Sequence, residues 1–416
     1  MAPHLRSTVI TALFAAAASV ARGAEDWTQF LGPEAAATAD ASRDLPQKWD
    51  ETQGVRWKVD TPGLGWSSPV VSGGKIYLSS AVPDGDGHLL QLLCYDAADG
   101  RQLWTSTALE QPADSPGIHS KNSHASPTPI VEGGRVYVHF GHQGTACLNA
   151  VDGEVMWTNR EHGYEPVHGN GGSPLLVEEQ LVFTCDGASA PYTVSLSTKD
   201  GKELWRVDRG VESDKHFSFC TPIEIEQDGR KLIISAGSDI VQAIDLRGEV
   251  VWSAKFEGFS VTPRPLYHRG LLYFSTGFGS TTLLAIDPSG SGDVTDTHLR
   301  WKYGSNVPTT PSPVAIDDAV MIISDSGVAT ALAADDGSLR WRLRVGGNFS
   351  ATPLVHGDCV YLMAEDGTCT LWRLTGEKPT KIAENQLPGR AFASPVPYQG
   401  DLLIRTESSL YRIAGR

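Results

Sequence analysis

Residues 200–205 read DGKELW, and the same hexad frame stands at 99–104 (DGRQLW), 152–157 (DGEVMW) and 336–341 (DGSLRW). Asp-Gly is a tight hairpin signal, because glycine takes positive φ without steric cost and the turn's twist then suits the flanking strands. Each tryptophan therefore stands on the strand that leaves a hairpin. A fifth copy, AIDLRGEVVW at 243–252, has lost the aspartate beside Gly248 but keeps the spacing to Trp252.

Outward from these hexads, seven tryptophans recur at intervals of 40 to 53 residues: Trp57, Trp104, Trp157, Trp205, Trp252, Trp301 and Trp341. Self-similarity at that period marks a repeat architecture. A second mark opens each unit, a proline preceded by a small hydroxyl residue: Ser68-Pro69, Thr128-Pro129, Ser173-Pro174, Thr221-Pro222, Ser312-Pro313, Thr352-Pro353 and Ser394-Pro395. The eighth copy reads Arg264-Pro265. Between the marks lie runs such as KIYLSS, RVYVHF, LLYFST and CVYLMA, which read as short strands, four per repeat.

Four-stranded units repeated around a ring predict an all-β, eight-bladed β-propeller of antiparallel blades. The last unit, 390–416, lacks a tryptophan strand, whereas VRWKV around Trp57 precedes the first proline mark. That orphan strand is expected to complete the last blade, so the ring is closed by the N-terminal strand. The seventh unit has no tryptophan of its own and reads TGEKPTKIAE at 375–384. The tryptophans themselves are expected to fill space between blades.

The domain reading is a signal peptide over 1–23, an N-terminal extension over 24–54 and the propeller over 55–416. Arg6, the apolar stretch from Ser7 to Ala21 and the exit ARG fit export with cleavage after Gly23, and the stretch is short for a membrane span. Loss of Arg6 and Arg22 takes the formal charge from −15 to −17. Such acidity disfavours nucleic acid and anionic lipid surfaces. A periplasmic or secreted monomer without a transmembrane segment is expected.

The six cysteines form no C-x-x-C or adjacent pair, and Cys94, Cys147 and Cys220 fall at small-residue positions of the repeat, so free packing thiols are expected. No hydrolase elbow, zinc helix, phosphate loop or dinucleotide fingerprint occurs. The oxygen-rich loops PDGDGH (83–88) and SGDVTDTH (291–298) read as solvated turns, so no metal site and no catalytic residue is assigned.

The element A-x-D-x-x-x-G-x-x-x-W, as in AIDLRGEVVW and loosely in CYDAADGRQLW, resembles the pyrroloquinoline-quinone (PQQ) repeat superfamily over roughly 27–414. GNGGSP, FCTP, GDVTDTH and GNFSATP are similar to segments of exported, planctomycete-type PQQ-like propellers. The resemblance reaches two branches, quinoprotein dehydrogenases and the propeller lipoprotein of outer-membrane barrel assembly. The first implies a vicinal disulfide and a calcium site, for which this sequence has no adjacent cysteines and no matching acidic set. The second implies a lipid-bearing cysteine at the mature N-terminus, also missing here.

One asymmetry directs attention to a sector. The connection from tryptophan to the next proline mark is 12 or 13 residues in four units, but 25 after Trp104 and 17 after Trp157 and Trp205. Long loops on a rigid ring are where recognition concentrates. Their ends carry His119, Lys121, Asn122 and His124, then His162, His168 and Asn170, then Lys215 and His216. Equivalent positions across the ring hold Asn306, Asn348 and Arg390, and Arg264 replaces a hydroxyl. The expected binding set at the channel mouth is Lys121, Asn122, His124, His168, Asn170, Lys215, His216, Arg264, Asn306, Asn348 and Arg390. Donors of this kind suit an anionic or hydroxyl-rich ligand.

The sequence thus points first to a non-enzymatic binding or scaffold module of the periplasm or cell envelope, with an envelope protein or small ligand as partner and no cofactor. Its alternatives are a PQQ-dependent oxidoreductase with the quinone over the channel, and a polysaccharide hydrolase or lyase using the mouth histidines.

Overall fold

The computed structural model describes residues 26–34, 36–375 and 378–415. The expected signal peptide lies outside the described residues. Eight antiparallel sheets follow one another along the chain, at 70–111, 130–159, 175–208, 223–255, 266–303, 314–344, 354–386 and 396–413, each sheet a blade, and each of the first seven has four strands in sequence order from the channel outward. The eighth has three strands of its own, and Val55–Asp60 supplies the fourth by pairing antiparallel with Ser409–Ile413, Trp57 opposite Arg412. Closure is fastened by Asp401, buried, whose carboxylate accepts from Arg56 at 2.8 Å, Arg412 at 2.6 Å and the backbone N–H of Gly415 at 2.7 Å.

The repeated hexad turns out to work between blades. The tryptophan of one blade packs on the turn glycine of the next: Trp57 on Gly100, Trp104 on Gly153, Trp157 on Gly201, Trp205 on Gly248 and Trp301 on Gly337. A Cβ on these glycines would lie 2.5–2.8 Å from the tryptophan, and their φ runs from +70° to +86°. Glycine is required there by space and by conformation together. The indole N–H groups of Trp57, Trp157 and Trp301 reach carbonyls of the following blade, Ala97, Thr198 and Ala334, at 3.1, 3.1 and 2.9 Å.

The blade at 354–386 holds Ala383 where its neighbours have tryptophan. The N-terminal extension fills the gap: Trp49 lies 6.4 Å from Tyr361, as Trp104, Trp157 and Trp301 lie 5.5–6.1 Å from Tyr77, Tyr137 and Tyr273 in their own blades. Asn385 locks it by accepting the N–H of Trp49 at 2.8 Å and donating to the carbonyl of Gln47 at 3.0 Å.

Upstream, the extension crosses the channel. Trp27 bridges Val71 and the carbonyl of Thr28 accepts from Val131, both on innermost strands of the first two blades. Thr38–Ala39 then pairs in parallel with Val355 and His356 on the far side of the ring. All six cysteines are buried and free, among them Cys94, Cys147 and Cys220 at the small-residue positions of the repeat.

Candidate functional site

The hydroxyl before each proline mark has a structural explanation. Ser68 donates its backbone N–H to Thr128 Oγ1 at 3.0 Å, Thr128 to Ser173 at 2.9 Å and Ser173 to Thr221 at 2.9 Å. Beyond the break at Arg264 the chain of bonds resumes, Arg264 to Ser312 at 3.0 Å, Ser312 to Thr352 at 3.2 Å, Thr352 to Ser394 at 3.0 Å and Ser394 back to Ser68 at 3.1 Å. Seven of the eight junctions between blades are thereby stapled around the channel. At the break, where no hydroxyl stands, Cys220 Sγ lies 3.4 Å from the carbonyl of Pro263.

These seven hydroxyl residues line a funnel-shaped cavity of about 390 Å³. Phe30 of the extension also lines it, so the segment that crosses the channel contributes to its boundary. The walls above the hydroxyls are aromatic. Trp66 and Phe392 meet at 4.5 Å on one side. On the other, Phe217 contacts Phe219 at 6.2 Å and Phe259 at 5.9 Å, and Phe259 contacts Phe278 at 6.3 Å. No aspartate or glutamate is among the described residues lining the cavity, and Lys121 is the one lysine or arginine there.

The structure brings part of the expected donor set to this cavity. Lys121, Asn122 and His168 line it. Lys121 reaches across the mouth to Glu365 at 2.8 Å, and Glu365 also accepts the Ser350 hydroxyl at 2.6 Å. The longest connection is thus tied to a blade on the far side. Asn122 holds the loop itself, donating to the carbonyl of His168 at 2.8 Å and accepting from the Ser126 hydroxyl at 2.6 Å. The imidazole of His168 sits edge-on to His119 at 5.6 Å and Phe217 at 5.3 Å.

Lys215 and Arg390 decorate the aromatic walls from outside. The Lys215 ammonium lies 3.9 Å from the centre of Phe259. The Arg390 guanidinium lies 5.5 Å from Trp66 and bonds Glu407 at 2.8 Å. His216 does not line the cavity, and its Nδ1 is buried with no hydrogen-bond partner. Asn306 and Asn348 stay in their loops, the first at φ +53° and the second offering its carbonyl to Glu365 N–H.

Three expected members lie elsewhere. His124 packs against His88 at 4.5 Å, and burial with the neighbouring His88 and His142 pushes its pKa down to about 4. Asn170 accepts the Tyr164 hydroxyl at 3.1 Å beneath Gly141. Arg264 lines a separate polar cavity with Glu132, Glu178 and Glu224, at the opposite ends of the innermost strands, and burial lowers its pKa to about 10. A slot sized for a hydroxyl does not hold a guanidinium, so this side chain turns away from the mouth.

The aromatic walls were missed by reasoning from donors. A signal existed: side chains two residues apart on an extended strand share a face, and Trp66, Phe219 and Phe392 each stand two residues before the mark residue of their blade.

Eight four-stranded blades, the last closed by an N-terminal strand, make this a β-propeller of the PQQ-like class. The chain belongs to the family described as outer membrane protein assembly factor BamB, whose model matches residues 35–121, 91–301 and 292–382. It is 21% identical over 245 residues to the outer membrane protein assembly factor BamB of Moranella endobia (strain PCIT), a match covering 58% of this chain and 59% of that protein. The structure of BamB from Moraxella catarrhalis superposes with a TM-score of 0.61 at 14% identity, over 86% of this chain and 96% of that one. A europium-containing methanol dehydrogenase superposes equally broadly, with a TM-score of 0.65 at 10% identity, over 93% and 91%. At these identities the superpositions establish the fold alone.

The enzyme branch of the fold implies PQQ with a metal ion, and the donor set here does not fit it. The quinone bears several carboxylates, which the single lining lysine, already bonded to Glu365, cannot match. Calcium sites draw on oxygen ligands in which carboxylates supply the charge, and the described lining has no carboxylate.

Proposed function

We propose that this chain is an exported, non-enzymatic scaffold of the periplasm or cell envelope that engages an envelope protein through the face bearing the long connections. The observation that carries the reading is the tethering of the longest connection across the channel mouth by Lys121 and Glu365, at a cavity that the half-exposed aromatic Phe278 also lines. A rigid platform with apolar side chains at its rim suits protein recognition. Membership of the BamB family supports the same reading, and makes assembly of outer-membrane proteins the finer form of it.

The test is genetic and chemical together. Removal of the gene should lower the amount of folded outer-membrane protein, and the purified chain given PQQ, calcium and an alcohol should reduce no dye. Dye reduction at enzymatic rates, or unaltered outer-membrane protein in the deletion strain, would overturn the proposal.

A further inference from the structure

The hydroxyl ring has unused capacity. Each of its seven oxygens accepts a backbone N–H from a neighbouring blade. No hydrogen bond runs from any of these hydroxyls to an acceptor in the described protein, so each retains an O–H to donate. All seven are buried, the most exposed at 7%, and all seven face the same cavity. Facing an open cavity, each O–H is placed to donate to a ligand in place of water. Seven at one level form an acceptor-binding floor.

We propose that this funnel binds a small monocarboxylate with an apolar, ring-sized body, its carboxylate lodged on the hydroxyl floor. A carboxylate is acceptor-only, and O–H bonds to it are charge-assisted and short. No protein carboxylate in the described lining competes for the donors. The charge is limited to one by the same residues: Lys121 is the sole lysine or arginine of the described lining, and Glu365 already draws on it. A dianion or polycarboxylate would be undercompensated. The body is set by the walls, with Trp66 and Phe392 facing Phe217, Phe219 and Phe259 across a volume in the range of small-molecule sites. The chain's formal charge of −15 opposes attraction at a distance, so affinity comes from burial of the body and the convergent hydroxyls. This site lies below the rim and does not rest on the scaffold reading.

The test is calorimetric titration of the intact protein with naphthoate, naphthamide and naphthylmethylamine, three probes of one body and different head groups. Naphthoate should bind, the amide about tenfold more weakly and the amine not at all, a tenfold loss being the size of one net hydrogen bond. Thr352→Val removes one hydroxyl at constant shape and should weaken naphthoate by a similar factor, while Thr352→Ser restores it. Because Thr352 also accepts the N–H of Ser312, melting is followed in parallel. If Thr352→Val does not fold, the three probes on the unaltered protein still decide. Equal binding of amine and carboxylate, no heat from naphthoate, unchanged affinity in a folded Thr352→Val, or preference for PQQ over naphthoate would each overturn the inference.

Discussion

At the residue scale, His139 shows how the sector of long connections ties structure to pH. Its Nδ1 meets Thr145 Oγ1 at 2.8 Å and its ring lies tilted against Phe183 at 4.2 Å, fully buried. Burial, with His142 and His162 nearby, pushes its pKa down to about 3 from the ordinary 6.5. The folded state therefore favours the neutral ring, and between those values the unfolded chain binds a proton that the folded chain refuses. The stability this carries is fully present above pH 6.5 and is lost as pH falls toward 3, by an amount on the order of a few kcal/mol. His139→Gln has no proton to gain in that interval. Urea unfolding at a series of pH values should show a shallower acid decline in the variant than in the parent, and parallel declines would contradict the assignment.

At the element scale, the N-terminal extension acts as part of the ring. Trp49 stands against Tyr361 in the blade whose own tryptophan position holds Ala383. Trp49→Ala should cost about 3–5 kcal/mol, the usual loss for a large buried aromatic. Chemical denaturation measures it, and a loss below about 1 kcal/mol, the level of an ordinary surface change, would show that the indole fills no gap.

The same comparison explains what the sequence could disclose. The turn glycines and the proline marks recur in register and leave one orphan strand at Trp57, so the ring, the blade count and its closure are legible in the sequence alone. Trp49 lies outside the repeat register, and nothing in the local sequence says which blade it serves. The funnel was legible in part. Lys121, Asn122 and His168 reach it because loop ends feed innermost strands. His124 and Asn170 do not, because position in a loop fixes the neighbourhood of a side chain but not its direction. Of the aromatic walls, Trp66, Phe219 and Phe392 share one offset from the mark residue and were legible, whereas Phe217, Phe259 and Phe278 come from single residues of individual blades, where repetition gives no signal.

At the scale of the whole molecule, the ring presents three distinct surfaces to a partner. The mouth carries Phe278, 46% exposed, which lines the same cavity as the tethered Lys121. The outer circumference carries Leu204, 51% exposed, on the edge strand Glu203–Asp208. The opposite end of the channel carries Tyr267, next to the polar cavity of Arg264. The central claim, that an envelope protein is engaged at the mouth, is tested most directly by placing a photoreactive phenylalanine analogue at Phe278, Leu204 and Tyr267 in turn and irradiating intact cells. The account predicts a discrete protein adduct from Phe278 and none from the other two; adducts from Leu204 or Tyr267 with none from Phe278 would contradict it.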